Sequence, residues 1–259
     1  MSLVFAGMTP HPPLLIPTIG KDKVNSIKDT KAALERLEQD LYVAKPNVIV
    51  IISPHSGLFP DAFTINAHTS FSSAFQEFGD LVTKYTWKGC PDLAAQISHR
   101  AKKENIPLQL VSEESLDHGA TVPLAYLTSH LKDVQILPIG YSGLSRDMHI
   151  QFGHLLKEMC MESSRRIAVI ASGDLSHKLP IGLTAPDGAF DLRLKAALET
   201  NSHDDILNFS ESEVADADQC GYYSLLILLG MLGDRPFHFE TYSYEGPFGV
   251  GYLVGNFHI

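Results

Sequence analysis

The chain lacks the features that mark several large classes of protein. Three cysteines occur in 259 residues, Cys90, Cys160 and Cys220, and an odd, widely scattered set excludes a disulfide framework. No stretch reaches the roughly 18 apolar residues needed to span a bilayer. The start, Met1-Ser2-Leu3-Val4-Phe5-Ala6-Gly7, has neither the basic region nor the long apolar segment of a secretory signal. A reducing, cytoplasmic setting is the expectation. Basic residues are outnumbered, 20 against 30 acidic, for a formal charge of −10; this argues against nucleic acid or an anionic membrane as main partner, because phosphates would be repelled. There is no internal repeat, no low-complexity linker, no glycine-rich phosphate loop, no Gly-x-Ser-x-Gly elbow and no His-Glu-x-x-His zinc helix. What remains is an ordinary globular balance, 44% hydrophobic and 19% charged, at a length that fits one α/β domain over residues 1–259. Histidine is the exception, with twelve in all.

Apolar runs alternate with helical patterns along the chain. Leu3 to Gly7, Val48 to Ile52, Leu108 to Val111, Val134 to Ile139 and Ile167 to Ala171 read as strands, and Val48 to Ile52 is a β-branched run of the kind that fills a parallel sheet. Ile27 to Tyr42, Leu93 to Glu104, His149 to Ser163, Leu192 to Thr200 and Tyr222 to Leu232 read as helices, the last almost wholly apolar and therefore buried. Phe237 to Tyr244 and Val250 to Phe257 look like two antiparallel strands joined across Glu245-Gly246-Pro247-Phe248-Gly249. The pattern predicts an α/β fold: a mostly parallel central sheet, helices on both faces, and a C-terminal antiparallel hairpin.

Ligands of open α/β sheets bind beyond the carboxyl ends of the strands, and three strands here deliver a histidine to that edge. They give Thr9-Pro10-His11-Pro12-Pro13, Ser53-Pro54-His55-Ser56-Gly57 and Ser172-Gly173-Asp174-Leu175-Ser176-His177. Prolines beside His11 and His55 end the strand and stiffen the loop. His118 joins them in Leu116-Asp117-His118-Gly119. The carboxylate of Asp117 or Asp174 could hold a neighbouring ring in one tautomer; alternatively Asp117 caps the next helix and His118 merely packs. Convergent histidines on one edge point to a single redox-capable divalent metal. Two histidines and one further side chain, with the remaining positions open, make the arrangement of non-haem Fe(II) oxygenases. Candidates for the third ligand lie in Asp216-Ala217-Asp218-Gln219-Cys220-Gly221. Cys220 is a soft ligand as thiolate, or else a small buried hydrophobe. Cys90 and Cys160 lack such a context and read as structural.

At these residues the sequence resembles the class III extradiol ring-cleavage dioxygenases of B-subunit type, and more closely the branch related to Memo proteins. The similarity runs through Pro10-His11-Pro12-Pro13-Leu14, Ser53-Pro54-His55, Leu116 to Gly119 with Val122-Pro123-Leu124, Ala171 to Leu179, Cys220-Gly221 and Ser243 to Tyr252. It implies that His11 and His55 bind Fe(II), that His177 is the base that takes a proton from a bound catechol, and that His118 helps hold substrate or oxygen. The ring-cleaving members carry a glutamate as third ligand, and the matching position here is Gln219. A neutral amide is a poorer ligand than a carboxylate. In Memo-like proteins a cysteine matching Cys220 sits at the metal, which places Cys220 ahead of Gln219, with Asp218, water and Glu245 as alternatives.

The resemblance therefore implies a metal-dependent dioxygenase acting on a small aromatic diol and O2. Two other readings follow from the departure at Gln219: a Memo-like metal-binding or interaction protein without ring cleavage, and a zinc hydrolase in which His177 handles a metal-bound water. Fe(II) is the expected metal, with zinc or copper as alternatives. A homodimer or a small partner subunit is the expected assembly. Tyr222, Tyr223, Phe248 and Tyr252 are candidates for an aromatic pocket or for the core.

Overall fold

The computed structural model describes residues 3–73, 75–181 and 188–259. Its sheet contains eleven strands: β1 (Leu3–Thr9), β2 (Val48–Ser53), β3 (Phe63–Asn66), β4 (Ser70–Ser73), β5 (Thr86–Gly89), β6 (Leu108–Val111), β7 (Ser115–Leu116), β8 (Gln135–Gly140), β9 (Ile167–Ser172), β10 (His238–Glu245) and β11 (Tyr252–His258). The order is β10-β11-β1-β9-β2-β8-β5-β4-β7. The centre, β1-β9-β2-β8, is parallel, and β11 and β10 continue it as an antiparallel pair. Beyond β8 the sheet forks. β5 pairs with the first residues of β8, whereas β3 pairs antiparallel with its last two and carries β6.

The central strands read as unbroken apolar runs because both of their faces are covered. Val48, Val50 and Ile52 point to one core with Val169 and Ala171, packed against the helices Pro91–Lys103, Arg146–Glu162, Ala189–Glu199 and Tyr222–Leu232. Ile49, Ile51, Ala168 and Ile170 point to the other core, under the helices Lys28–Ala44 and His118–Leu127. The expected mostly parallel sheet, with helices on both faces and a closing antiparallel pair, is the fold observed. No helix among the described residues is long and apolar enough to cross a membrane, and the three cysteines are buried and form no disulfide.

The elements that the periodicity does not announce are short or stabilised from outside. β4 and β5 are four-residue strands that bury alternate positions, such as Phe71 and Trp87, too short for a period of two to stand out. The helix His118–Leu127 contains Gly119 and Pro123 and two β-branched residues, a poor helix by propensity. Burial of seven of its ten residues and the Asp117 cap hold it instead.

β1, β9 and β2 are neighbours and parallel, so their carboxyl ends share one edge. The backbone leaving β9 is pinned there on several sides. The Asp174 carbonyl accepts the N–H groups of Cys220 and Gly221, Leu175 N–H donates to Gly251, and His177 N–H donates to Ala217. This crossing needs glycine: a Cβ at Gly173 would lie 2.0 Å from the Gly221 Cα, with no flexible side chain to yield. Gly173→Ala should therefore separate the two loops, costing about 3 kcal/mol as an overpacked contact and lowering Tm by roughly 6–12 °C. Thermal denaturation monitored by circular dichroism measures this.

Candidate metal centre

His11 follows β1 by two residues, is 2% exposed, and is tied down at both its backbone and its ring. Its N–H donates to the Asp174 carboxylate at 2.9 Å, and its Nδ1 lies 2.9 Å from the Ser172 hydroxyl. That hydroxyl is itself 2.5 Å from the Gly119 carbonyl, which can only accept. The single serine proton must go to Gly119, so Ser172 Oγ accepts from His11 Nδ1–H. His11 is thereby held as the tautomer whose Nε2 carries the free lone pair.

That lone pair faces other imidazoles. His55 Nε2 is 3.2 Å from His11 Nε2. The His118 ring stacks on His55 with centroids 4.3 Å apart and meets His11 edge-on at 5.3 Å. One nitrogen from each of the three rings lies within 4.8 Å of the others. Two ligand nitrogens each about 2.1 Å from one ion sit roughly 3.0–3.4 Å apart, so the His11–His55 spacing fits a shared cation. Burial, and then the neighbouring His55, push the pKa of both His11 and His118 below the ordinary histidine value; the rings are held in the neutral form that metals require.

The carboxylates flanking the cluster have different tasks. Asp117 caps the helix His118–Leu127 through Ala120 N–H and accepts the hydroxyls of Ser53 and Ser56, each at 2.5 Å. It places His118 by fixing the helix start. Asp174 is buried, its second oxygen 4.0 Å from His11 Nε2, and burial raises its pKa. Gly119 leaves room for this convergence: a Cβ there would meet Ser53 Oγ at 2.5 Å and the His55 ring at 3.1 Å.

Of the residues considered as third ligand, Cys220 lies against the cluster, its Sγ 3.6 Å from His11 Nε2 and accepting Asp174 N–H at 3.2 Å. Burial, and then the Asp174 charge, push its thiol well above the usual range. The Gln219 amide faces elsewhere: its oxygen accepts the N–H of Tyr222 at 2.6 Å, at the start of the helix Tyr222–Leu232. Glu245 accepts the N–H and hydroxyl of Thr30 and so satisfies the first turn of the helix Lys28–Ala44. Asp218 is exposed, in left-handed conformation at a helix end. His177 is exposed in the bend after β9, near enough for its charge to oppose protonation of His11. Tyr222 and Tyr252 are core residues.

A cavity of ≈ 520 Å³ opens beside the cluster, walled by His55, His118, Phe78, Asn66, Glu77 and Glu113 among others. Phe78 meets the His118 ring edge-on at 5.2 Å. The cavity residues and the role of Ser172 are not announced by the sequence, although one signal is present: the buried strands β2 and β9 both end in serine, and each hydroxyl serves the cluster.

Ser172→Ala should leave the fold intact and lower metal affinity by about 10- to 100-fold, the usual effect of removing a group that orients a ligating histidine. Competition titration against a chromogenic chelator measures it.

Comparison with known proteins shows the family to which the chain belongs. A Clostridium acetobutylicum protein whose name states no activity is 31% identical over 98% of this chain, and the chain spans 57% of that relative's length. A 4,5-DOPA dioxygenase extradiol of Mirabilis jalapa is 24% identical over 78% of this chain and 79% of its own. A MEMO1 family protein of Methanococcus maripaludis is 27% identical over 69% and 63%. The crystal structure of an uncharacterised Escherichia coli K12 protein superposes with a TM-score of 0.70 at 18% identity, covering 99% of this chain and all of that one, which shows the shared fold. The family model described as the catalytic LigB subunit of aromatic ring-opening dioxygenase matches residues 6–255, and the chain belongs to that family, related both to extradiol dioxygenases and to MEMO1-like proteins.

Proposed function

We propose that the chain is a non-haem, metal-dependent extradiol dioxygenase that opens the ring of a small catechol with O2. The observation that supports this most is the set of three imidazoles converging beside a cavity of catechol-accommodating size. His11, His55 and His118 would hold the ion, with Cys220 as a further donor at His11. Fe(II), when bound there, supplies a Lewis acid for the diol oxygens and electrons for O2.

The protein's own groups do the rest. Ser172 keeps the His11 Nε2 lone pair aimed at the ion position. His177, exposed in the bend after β9, accepts the proton released by a diol hydroxyl and returns it later in the reaction. Phe78 presents an aromatic edge beside His118 where a substrate ring would lie. Both atoms of O2 enter the product: the carbon–carbon bond beside the diol breaks, leaving a carboxylate on the oxygenated carbon and an aldehyde on its neighbour.

The cavity also bears on the choice of catechol. Its walls carry the carboxylates of Glu77 and Glu113 and, among the described residues, no lysine or arginine. Asn66 fixes Glu113 by exchanging two hydrogen bonds with its backbone. Lys178, beside His177, is exposed and outside these walls. Such a lining favours a neutral or amine-bearing side chain over a carboxylated one.

A second reading, a Memo-like metal-binding protein without ring cleavage, draws support from Gln219: no carboxylate joins the three histidines among the described residues, and the amide at the glutamate position serves a helix. The two readings part on one measurement. Protein purified anaerobically should contain stoichiometric iron and consume O2 with catechols. Metal without oxygen uptake would make the Memo-like reading the right one.

Two further outcomes are expected. His177→Ala should retain the metal and lose about 10²- to 10⁴-fold in turnover, as for a general base; loss of the metal itself would remove the assignment. Dopamine should bind the anaerobic, iron-loaded protein more tightly than 3,4-dihydroxyphenylacetate, by about fivefold for each carboxylate engaged. Isothermal titration reads the difference, and Glu113→Lys should reverse it.

A further inference from the structure

We infer that Pro123 is a positioning residue for the metal centre, acting through the Gly119 carbonyl and the Ser172 hydroxyl on the His11 ring. Proline is the least favourable residue for a helix interior, yet Pro123 sits inside the helix His118–Leu127 and is buried there. In an α-helix the N–H of each residue bonds the carbonyl four residues earlier. Pro123 has no N–H, so the carbonyl four residues earlier, that of Gly119, loses the partner an α-helix would give it. A buried carbonyl of this kind needs a donor from elsewhere. The donor is Ser172 Oγ, at 2.5 Å, from the end of β9.

The consequence reaches the centre in two steps. With its proton directed at Gly119, Ser172 Oγ presents a lone pair to His11 Nδ1 at 2.9 Å. Nδ1 therefore carries the ring proton, and Nε2 faces His55 Nε2 with its lone pair free. A residue with an N–H at position 123 would compete for the Gly119 carbonyl. The serine hydroxyl could then rotate and donate to Nδ1, which would move the ring proton to Nε2, where a cation must bind. The proline thus trades helix stability for a fixed tautomer on a residue of another element.

The inference rests on the metal-binding part of the reading above and is independent of ring cleavage. Wild type, Pro123→Ala, Ser172→Ala and the double variant would be titrated with Zn(II), a redox-silent probe, and melted without metal. Pro123→Ala should lower Zn(II) affinity about tenfold while its metal-free Tm stays level or rises, because alanine is the better helix former. The double variant should bind as Ser172→Ala does, since both changes break the same relay. Nitrogen-15 NMR of the metal-free protein should show His11 protonated at Nδ1 in wild type and a mixture in Pro123→Ala; this arm decides even if wild type takes up no metal, a result that would overturn the functional reading alone. Unchanged affinity with an unchanged tautomer, a joint fall in affinity and Tm, or a further tenfold loss in the double variant would overturn the role of Pro123.

Discussion

The hydrogen bond from His11 Nδ1 to Ser172 Oγ is the interaction around which the centre is organised. It joins the ends of two neighbouring parallel strands, since Thr9 and Ser172 are register partners in β1 and β9. Through the same hydroxyl it ties both strands to the helix His118–Leu127 on one face of the sheet. One oxygen atom thus reads the position of three elements and converts it into the orientation of one imidazole. Displacement of any of them by about 1 Å would stretch the bond beyond useful hydrogen-bond length.

The polar surroundings of the cluster divide into two groups that do not compete. Asp117, with Ser53 and Ser56, closes a network around the start of the helix that bears His118. Asp174 holds the backbones of His11 and the Cys220 loop through its carboxylate and its carbonyl. The Asp117 carboxylate and the Asp174 carbonyl therefore each meet several donors, the condition under which a buried polar network stiffens a site rather than weakening it. Asp174 is a buried acid whose second oxygen lies 4.0 Å from His11 Nε2, so a divalent ion held by the histidines would meet its charge at close range.

Much of the fold was legible in the sequence because the central strands are covered on both faces. Val48 to Ser53 and Ile167 to Ser172 have no polar residue before their last position, and each stops where a histidine-bearing loop begins. The helix Tyr222–Leu232 was equally plain, being apolar on every side. The strands β4 and β5 and the helix His118–Leu127 were not, since their stability comes from neighbours rather than from their own pattern. The same division holds at the site. His11, His55, His118 and His177 could be named from their places after strands and in motifs, whereas the part taken by His118 could not. The structure gathers its ring with His11 and His55, while Gln219, one residue from Cys220, turns its amide to a helix end.

The sequence by itself determined which residues could do chemistry and which edge of the sheet would carry them, because strand periodicity and the proline-flanked histidines are local properties. Only the tertiary structure decided their tautomers, partners and distances. A hydroxyl can direct its proton to one acceptor at a time, and which acceptor lies within reach of Ser172 depends on Gly119, 53 residues away in the chain. That information exists only once the sheet and the helix above it have packed together.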